Sequence, residues 1–163
     1  MRLRSLVAGT ALAATSVLAL AAPAAAAPEP AFEADVVGVV RIDPADPTVA
    51  EVQVRYRCAA GGELGLWVSV KQTADRSADP DLAEEGSSGI SAAWSDSHRN
   101  NFTCDGRSRV ATFEVDQLEP GWGGERPAQG ALAKGQAYVQ FCLTGPGGED
   151  GLLISESEFV RAR

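Results

Sequence analysis

The chain has 163 residues, of which 14 are basic and 22 acidic, giving a net charge of −8, and 45% are hydrophobic. That length supports one two-layer core rather than two. A field of this sign repels phosphate backbones and anionic head groups, which argues against nucleic acid and bare membrane as partners.

The chain opens with a basic "MRLR", continues through the short apolar run "SLVAGTALAATSVLALAAP", and leaves through the Ala-rich "AAAAPEP". This is the order of a secretory signal, and residues 1–27 are expected to be removed by cleavage after Ala26 or Ala27. A membrane anchor would need about 20 strongly apolar residues, and Gly9, Thr10, Thr15 and Ser16 interrupt the run. Cleavage removes Arg2 and Arg4 but no acid, so the mature chain 28–163 carries 12 basic and 22 acidic residues, or −10. A released, extracellular, monomeric protein without a membrane anchor is expected.

Beyond the leader the periodicity is that of strands. A first short run, "VVGVVRI", lies near residue 40. In "AEVQVRYRC" (50–58), Val52, Val54, Tyr56 and Cys58 share one parity while Glu51, Gln53, Arg55 and Arg57 share the other, so Cys58 faces inward. After the turn "AAGGE", the run "ELGLWVSVKQ" places Leu64, Leu66, Val68 and Val70 on one face. Trp67 falls on the opposite, polar face. A long loop, "TADRSADPDLAEEGSSG" (73–89), has room for one helical turn that Asp79 would cap and Pro80 would open.

The following run, "GISAAWS", puts Trp94 in parity with Ile90 and Ala92 and so predicts a core indole. The segment "SDSHRNN" reads as a loop, and in "NFTCDG" Phe102 and Cys104 share a face that can point inward. "RVATFEV" alternates Ala111, Phe113 and Val115 against Thr112, Glu114 and Asp116. A second long loop, "EPGWGGERPAQGALAKGQ", leads to "AYVQFCL", where Ala137, Val139, Phe141 and Leu143 set Cys142 on the other side, and the chain closes with "LLISESEFV". Seven short runs separated by turn-rich segments predict an all-β, immunoglobulin-like β-sandwich.

Three cysteines in an exported chain leave one unpaired or shared between molecules. Parity favours Cys58 with Cys104 and leaves Cys142 as a free thiol. The rival pairing, Cys58 with Cys142, would imitate the inter-sheet bridge of an antibody domain and would want Trp67 inward against it. A bulge that reversed parity would permit it.

The strand end "VQVRYRC", the alternating run ending "VSVKQ", the "CDG" turn and the glycine before "QAYVQF" together resemble a family of small secreted actinobacterial proteins of unknown function. The residues that carry the likeness are Tyr56, Arg57 and Cys58, then Cys104, Asp105 and Gly106, then Lys134 and Gly135. The resemblance implies a secreted immunoglobulin-like domain with a Cys58–Cys104 bridge. The long loop over 73–97 and the cysteine at 142 depart from the family pattern.

No reaction is legible. His98 is the single histidine, with Asp96 and Ser97 beside it, but a hydrolase needs a nucleophile–base–carboxylate geometry that adjacency does not supply, and no G-x-S-x-G elbow occurs. One histidine and three scattered cysteines offer no zinc ligand pair. No phosphate loop is present and no cofactor is expected. Asp75, Asp79, Asp81, Glu84 and Glu85 gather carboxylates in one loop, a weak candidate for calcium without the EF-hand alternation. The Asn101–Thr103 sequon reads as chance.

A surface remains. Trp67 and Trp122, the latter in "EPGWGGERP", are large aromatic anchors of the kind that dominate interfaces. The expected function is a secreted, non-catalytic binding domain for a protein or cell-envelope component. The alternatives are a protease-type enzyme inhibitor presenting "EPGWGGERPAQ", and a hydrolase.

Overall fold

A computed structural model describes residues 31–59, 63–84, 89–99, 101–116, 130–146 and 151–163. The expected leader, Glu85 and Trp122 lie outside the described residues. The strands are β1 (Phe32–Val36), β2 (Arg41–Ile42), β3 (Ala50–Cys58), β4 (Gly65–Gln72), β5 (Ala93–Arg99), β6 (Arg109–Val115), β7 (Gly135–Thr144) and β8 (Leu152–Ala162). They form two antiparallel sheets. In the first, β3 pairs with β6 on one side and with β1 and β2 in succession on the other; the second runs β5-β4-β7-β8. The chain changes sheet between β3 and β4, between β5 and β6, and between β6 and β7, so the expected immunoglobulin-like β-sandwich is what forms.

The two inner faces follow the alternation read from sequence. Val52, Val54, Tyr56, Phe113 and Val115 from the first sheet meet Leu66, Val68, Val70, Val139, Phe141 and Leu143 from the second, all buried. Tyr56 occupies the centre of an aromatic cluster, its ring centroid 5.9 Å from Phe113, 6.2 Å from Phe141 and 6.3 Å from Phe102. Its hydroxyl donates to the Thr103 carbonyl at 3.3 Å, which gives the polar end of a buried phenol its partner. Burial pushes the phenol's pKa up.

The disulfide joins Cys58 to Cys104, with Cα atoms 5.1 Å apart. It ties the end of β3 to the loop before β6 rather than crossing the core, and the Gly106 N–H donates to the Cys58 carbonyl at 2.9 Å. Gly106 has φ +79°, which a glycine adopts without steric cost. Asp105 completes the turn. Its carboxylate accepts from the Arg109 guanidinium at 2.6 Å and from the Arg107 N–H, and the Arg109 bond above all holds its pKa down to about 2. A carboxylate whose pKa falls on folding stabilises the fold above its unfolded value near 3.8 and loses that contribution as pH drops through about 2. Asp105→Asn is therefore expected to be less stable than wild type at pH 6, with the difference shrinking between pH 4 and pH 2, as read by urea unfolding at each pH.

Among the described residues one flank of the sandwich is closed and the other is not. The run "VVGVVRI" is not one strand: Gly38, at φ +84°, breaks it, leaving Val36 at the end of β1 and Arg41–Ile42 as β2, each paired with β3. There the backbone serves both sheets, since the N–H groups of Val40 and Ile42 donate to the carbonyls of Arg161 and Arg163, each at 3.0 Å, while Asp43 N–H donates to Val49. At the opposite flank β5 and β6 are edge strands. Arg99 spans them, its Nη2 donating to the Glu114 carbonyl at 3.3 Å and lying 3.8 Å from the Asp116 carboxylate.

Two expectations fail at β5. The strand starts at Ala93 and runs through Arg99, so Asp96 and His98 lie on a strand and not in a loop. Trp94 stands opposite Lys71 on the outer face, and Ile90 is exposed, so neither belongs to the core. The reason is an inverted polarity. Ala93, Ser95 and Ser97 are the inward residues here, and Ser95 Oγ donates to the Thr48 carbonyl at 2.6 Å across the sandwich.

Candidate functional site

The outer faces of the two sheets differ in kind. That of the first sheet is a ladder of paired polar groups: Arg55 with Asp35 at 2.9 Å, Arg57 with Glu33 at 3.8 Å, and Gln53 with Thr112 at 3.4 Å. The Arg55–Asp35 pair is exposed on both sides and adds little stability.

The outer face of the second sheet carries three rows set by strand register. One is Trp94, Lys71, Tyr138 and Phe159; the next is Asp96, Ser69, Gln140 and Ser157; the third is His98, Trp67, Cys142 and Ser155. Lys71, Tyr138, Ser69, Asp96 and Cys142 are buried although they point away from the core. The β4–β5 loop provides part of the cover. Its 3-10 helix, Pro80–Ala83, is capped by Asp79 and opened by Pro80 as expected, its Leu82 side chain is fully buried, and the Leu82 carbonyl accepts from Lys71 Nζ at 3.5 Å. Lys71 Nζ also lies 4.4 Å from the Trp94 ring centroid and 5.9 Å from that of Tyr138, a cation–π arrangement. Burial lowers the Lys71 pKa and the Asp96 charge partly restores it.

The third row is the open end. Trp67 and His98 are both half-exposed, and their rings lie 6.2 Å apart at 32°. Gly65, next along the same face, has no room for a side chain, which would meet Thr144 Oγ1. Further along the same face, in the second and first rows, lie two buried donors, Ser69 Oγ and Trp94 Nε1, with no hydrogen-bond partner among the described residues. Natural structures leave few such groups, and each calls for a reason.

Among the other residues singled out in the sequence, Asp75 is engaged in turn bonds from Thr73 Oγ1 at 2.7 Å and Ser77 Oγ at 2.9 Å, which lower its pKa, and Asp79 accepts from the Asp81 N–H. Asp81 and Glu84 are exposed. Among the described residues no group of three metal-ligating side chains converges. The pleat separates Ser97, inward, from His98, outward, and neither Ser97 Oγ nor Ser69 Oγ is hydrogen-bonded to His98. A shallow groove of about 260 Å³ beside Arg41, Pro44 and Glu114 is lined by no aromatic residue.

Cys142 is unpaired and buried between Trp67 and Ser155 in register, its thiol donating to Ser155 Oγ at 3.4 Å. Burial pushes its pKa up, against the smaller opposing effect of Ser155 and Gln140. The thiolate is the reactive form, so native protein at pH 8 is expected to react slowly with a chromogenic disulfide reagent and to titrate one thiol per chain once unfolded. Fast titration in the native state would contradict this burial.

The sequence located Trp67, weighed Asp96 only as a loop carboxylate beside His98, and missed Lys71, Ser69 and Tyr138, which read as ordinary outward positions. Their signal was the run of short polar residues opposite a long loop able to cover them. The chain matches no known family model and no curated protein sequence. Among the described residues no helix is long and apolar enough to cross a membrane.

Proposed function

We propose that the protein is a secreted, non-catalytic binding domain whose contact surface is the open end of the second sheet's outer face, centred on Trp67 and His98. The observation that carries this reading is the contrast between the two outer faces. One is a ladder of paired polar groups; the other presents a half-exposed indole beside a tilted imidazole at one end and two buried donors without a described partner further along. Large aromatic side chains next to desolvated polar groups are what interface hot spots are made of. The basic and apolar leader pattern and the Cys58–Cys104 bond support export into an oxidising compartment, where the partner is a protein or a cell-envelope component.

The test is capture by the immobilised, oxidised mature chain from the culture filtrate and envelope of the producing cell, using wild type, Trp67→Ala and, as a control on the other sheet, Gln53→Ala. The expected result is a component held by wild type and Gln53→Ala and lost at least tenfold with Trp67→Ala. Equal retention by all three would remove this face from the account.

A further inference from the structure

We propose that the β6 edge is a self-association site, through which two copies of this chain pair antiparallel about Thr112 and join their first sheets into one. The backbone directions at this edge follow from bonds already described. The Gln53 carbonyl accepts from Val37 N–H at 2.9 Å, on the β1 side of β3, so its pair with Thr112 exchanges no backbone bonds. Thr112 therefore turns its N–H and C=O away from β3. The same two-residue period turns Val110 and Glu114 outward, and the Glu114 carbonyl accepts from Arg99 rather than from any strand. No described segment pairs with this edge.

An open row of N–H and C=O groups is a template for another strand, and native edges are normally blunted by proline, a bulge or charge. Here Val110 is 58% exposed, the most exposed of the large hydrophobic residues described, and β6 contains neither proline nor a bulge. Among the described residues only the Glu114 end is guarded, by Arg99.

The charge pattern selects the occupant. Over "RSRVATFEVD", Arg107 and Arg109 stand at one end and Glu114 and Asp116 at the other. Antiparallel pairing about Thr112 sets Val110 against Glu114 of the second copy, Thr112 against Thr112, and Ser108 against Asp116. Each basic end then meets an acidic end, twice by symmetry, as an isologous interface requires. Opposite charges and Thr–Thr pairs across strands are favourable. A mostly acidic partner strand would oppose Glu114 and Asp116, and a mostly basic one would oppose Arg107 and Arg109; a second β6 opposes neither. One short strand pair buries little area, so the dimer is weak and concentration-dependent.

Sedimentation equilibrium from about 10 μM to about 1 mM, the range of weak association, tests it. Wild type is expected to shift from monomer toward dimer, less so as salt is raised. Arg99→Ala frees the Glu114 carbonyl in both copies and is expected to tighten the dimer by about tenfold or more, since two charge-assisted bonds no longer compete. Thr112→Pro removes an N–H that β3 does not use and is expected to be monomeric. Should that variant fail to fold, Glu114→Lys, a surface change, is expected to weaken the dimer while leaving the melting temperature near wild type. Wild type and Arg99→Ala both monomeric throughout, or a dimer indifferent to Thr112→Pro and Glu114→Lys, would overturn the proposal.

Discussion

Replacing Cys58 and Cys104 together by alanine is expected to lower the unfolding free energy by about 4 kcal/mol, the chain-entropy value for a bond closing a loop of this length. The sequence separation is 46 residues. A small domain's whole margin is about 5–15 kcal/mol, so the double variant should sit close to marginal stability at 37 °C. The loss should begin locally. The residues 102–106 pack Phe102 against the core, place the Tyr56 hydroxyl's acceptor at Thr103, and seat the Gly106 N–H on the Cys58 carbonyl. Without the bond these contacts and the Asp105–Arg109 pair hold the loop, and amide exchange at Gly106 should rise before that in β4 or β7. Urea unfolding of oxidised and double-variant protein measures the difference. A loss under 1 kcal/mol would mean that the bond is redundant with the surrounding packing.

The second large effect is expected at Gln72. This side chain is 2% exposed, at the end of β4 on the inner face, and makes three bonds: Nε2 donates to the carbonyls of Ala133 at 2.8 Å and Gln136 at 2.9 Å, and Oε1 accepts from the Ala133 N–H at 2.8 Å. It fastens the segment entering β7 to the sheet. Gln72→Leu keeps the approximate volume but leaves two part-buried carbonyls and an N–H without this partner. Leaving buried polar groups unpaired costs about 1–3 kcal/mol each, and partial relaxation should hold the total to about 3 kcal/mol. Gln53→Leu, an outward glutamine with a single 3.4 Å bond to Thr112, is the matched control and should fall within about 0.5 kcal/mol of wild type.

Much of the fold was legible because β3, β4, β6 and β7 alternate cleanly between apolar and polar residues. The same parity that turned Cys58 inward turned Trp67 and Cys142 outward, and all three lie as read. The Asp79 cap was visible as an Asp-Pro pair ahead of an apolar residue. β1 carried its alternation too, Phe32, Ala34 and Val36 against Glu33 and Asp35, but over five residues beside Pro28 and Pro30 it gave too short a period to separate from a linker.

β5 was misread for a different reason. Sequence pattern marks a buried face by its apolar residues, and β5 has serines on its inward face and an aspartate, fully buried, on its outward one. Their partners are remote in sequence: Thr48 bonds Ser95 from 47 residues away, and Asp96 faces the charge of Lys71, whose Nζ is held by the Leu82 carbonyl. The site therefore was legible only as one indole. Its lysine, its acid and its unpartnered donors became neighbours through cross-strand register, which no local window contains.

The binding face itself is most directly tested by hydroxyl-radical footprinting of the mature protein, alone and with the component that wild type retains. Protection of Trp67 and His98, with Arg55 and Tyr56 unchanged, is the predicted outcome. Unchanged oxidation at Trp67 with new protection around Arg55 would place the contact on the opposite sheet and contradict the account.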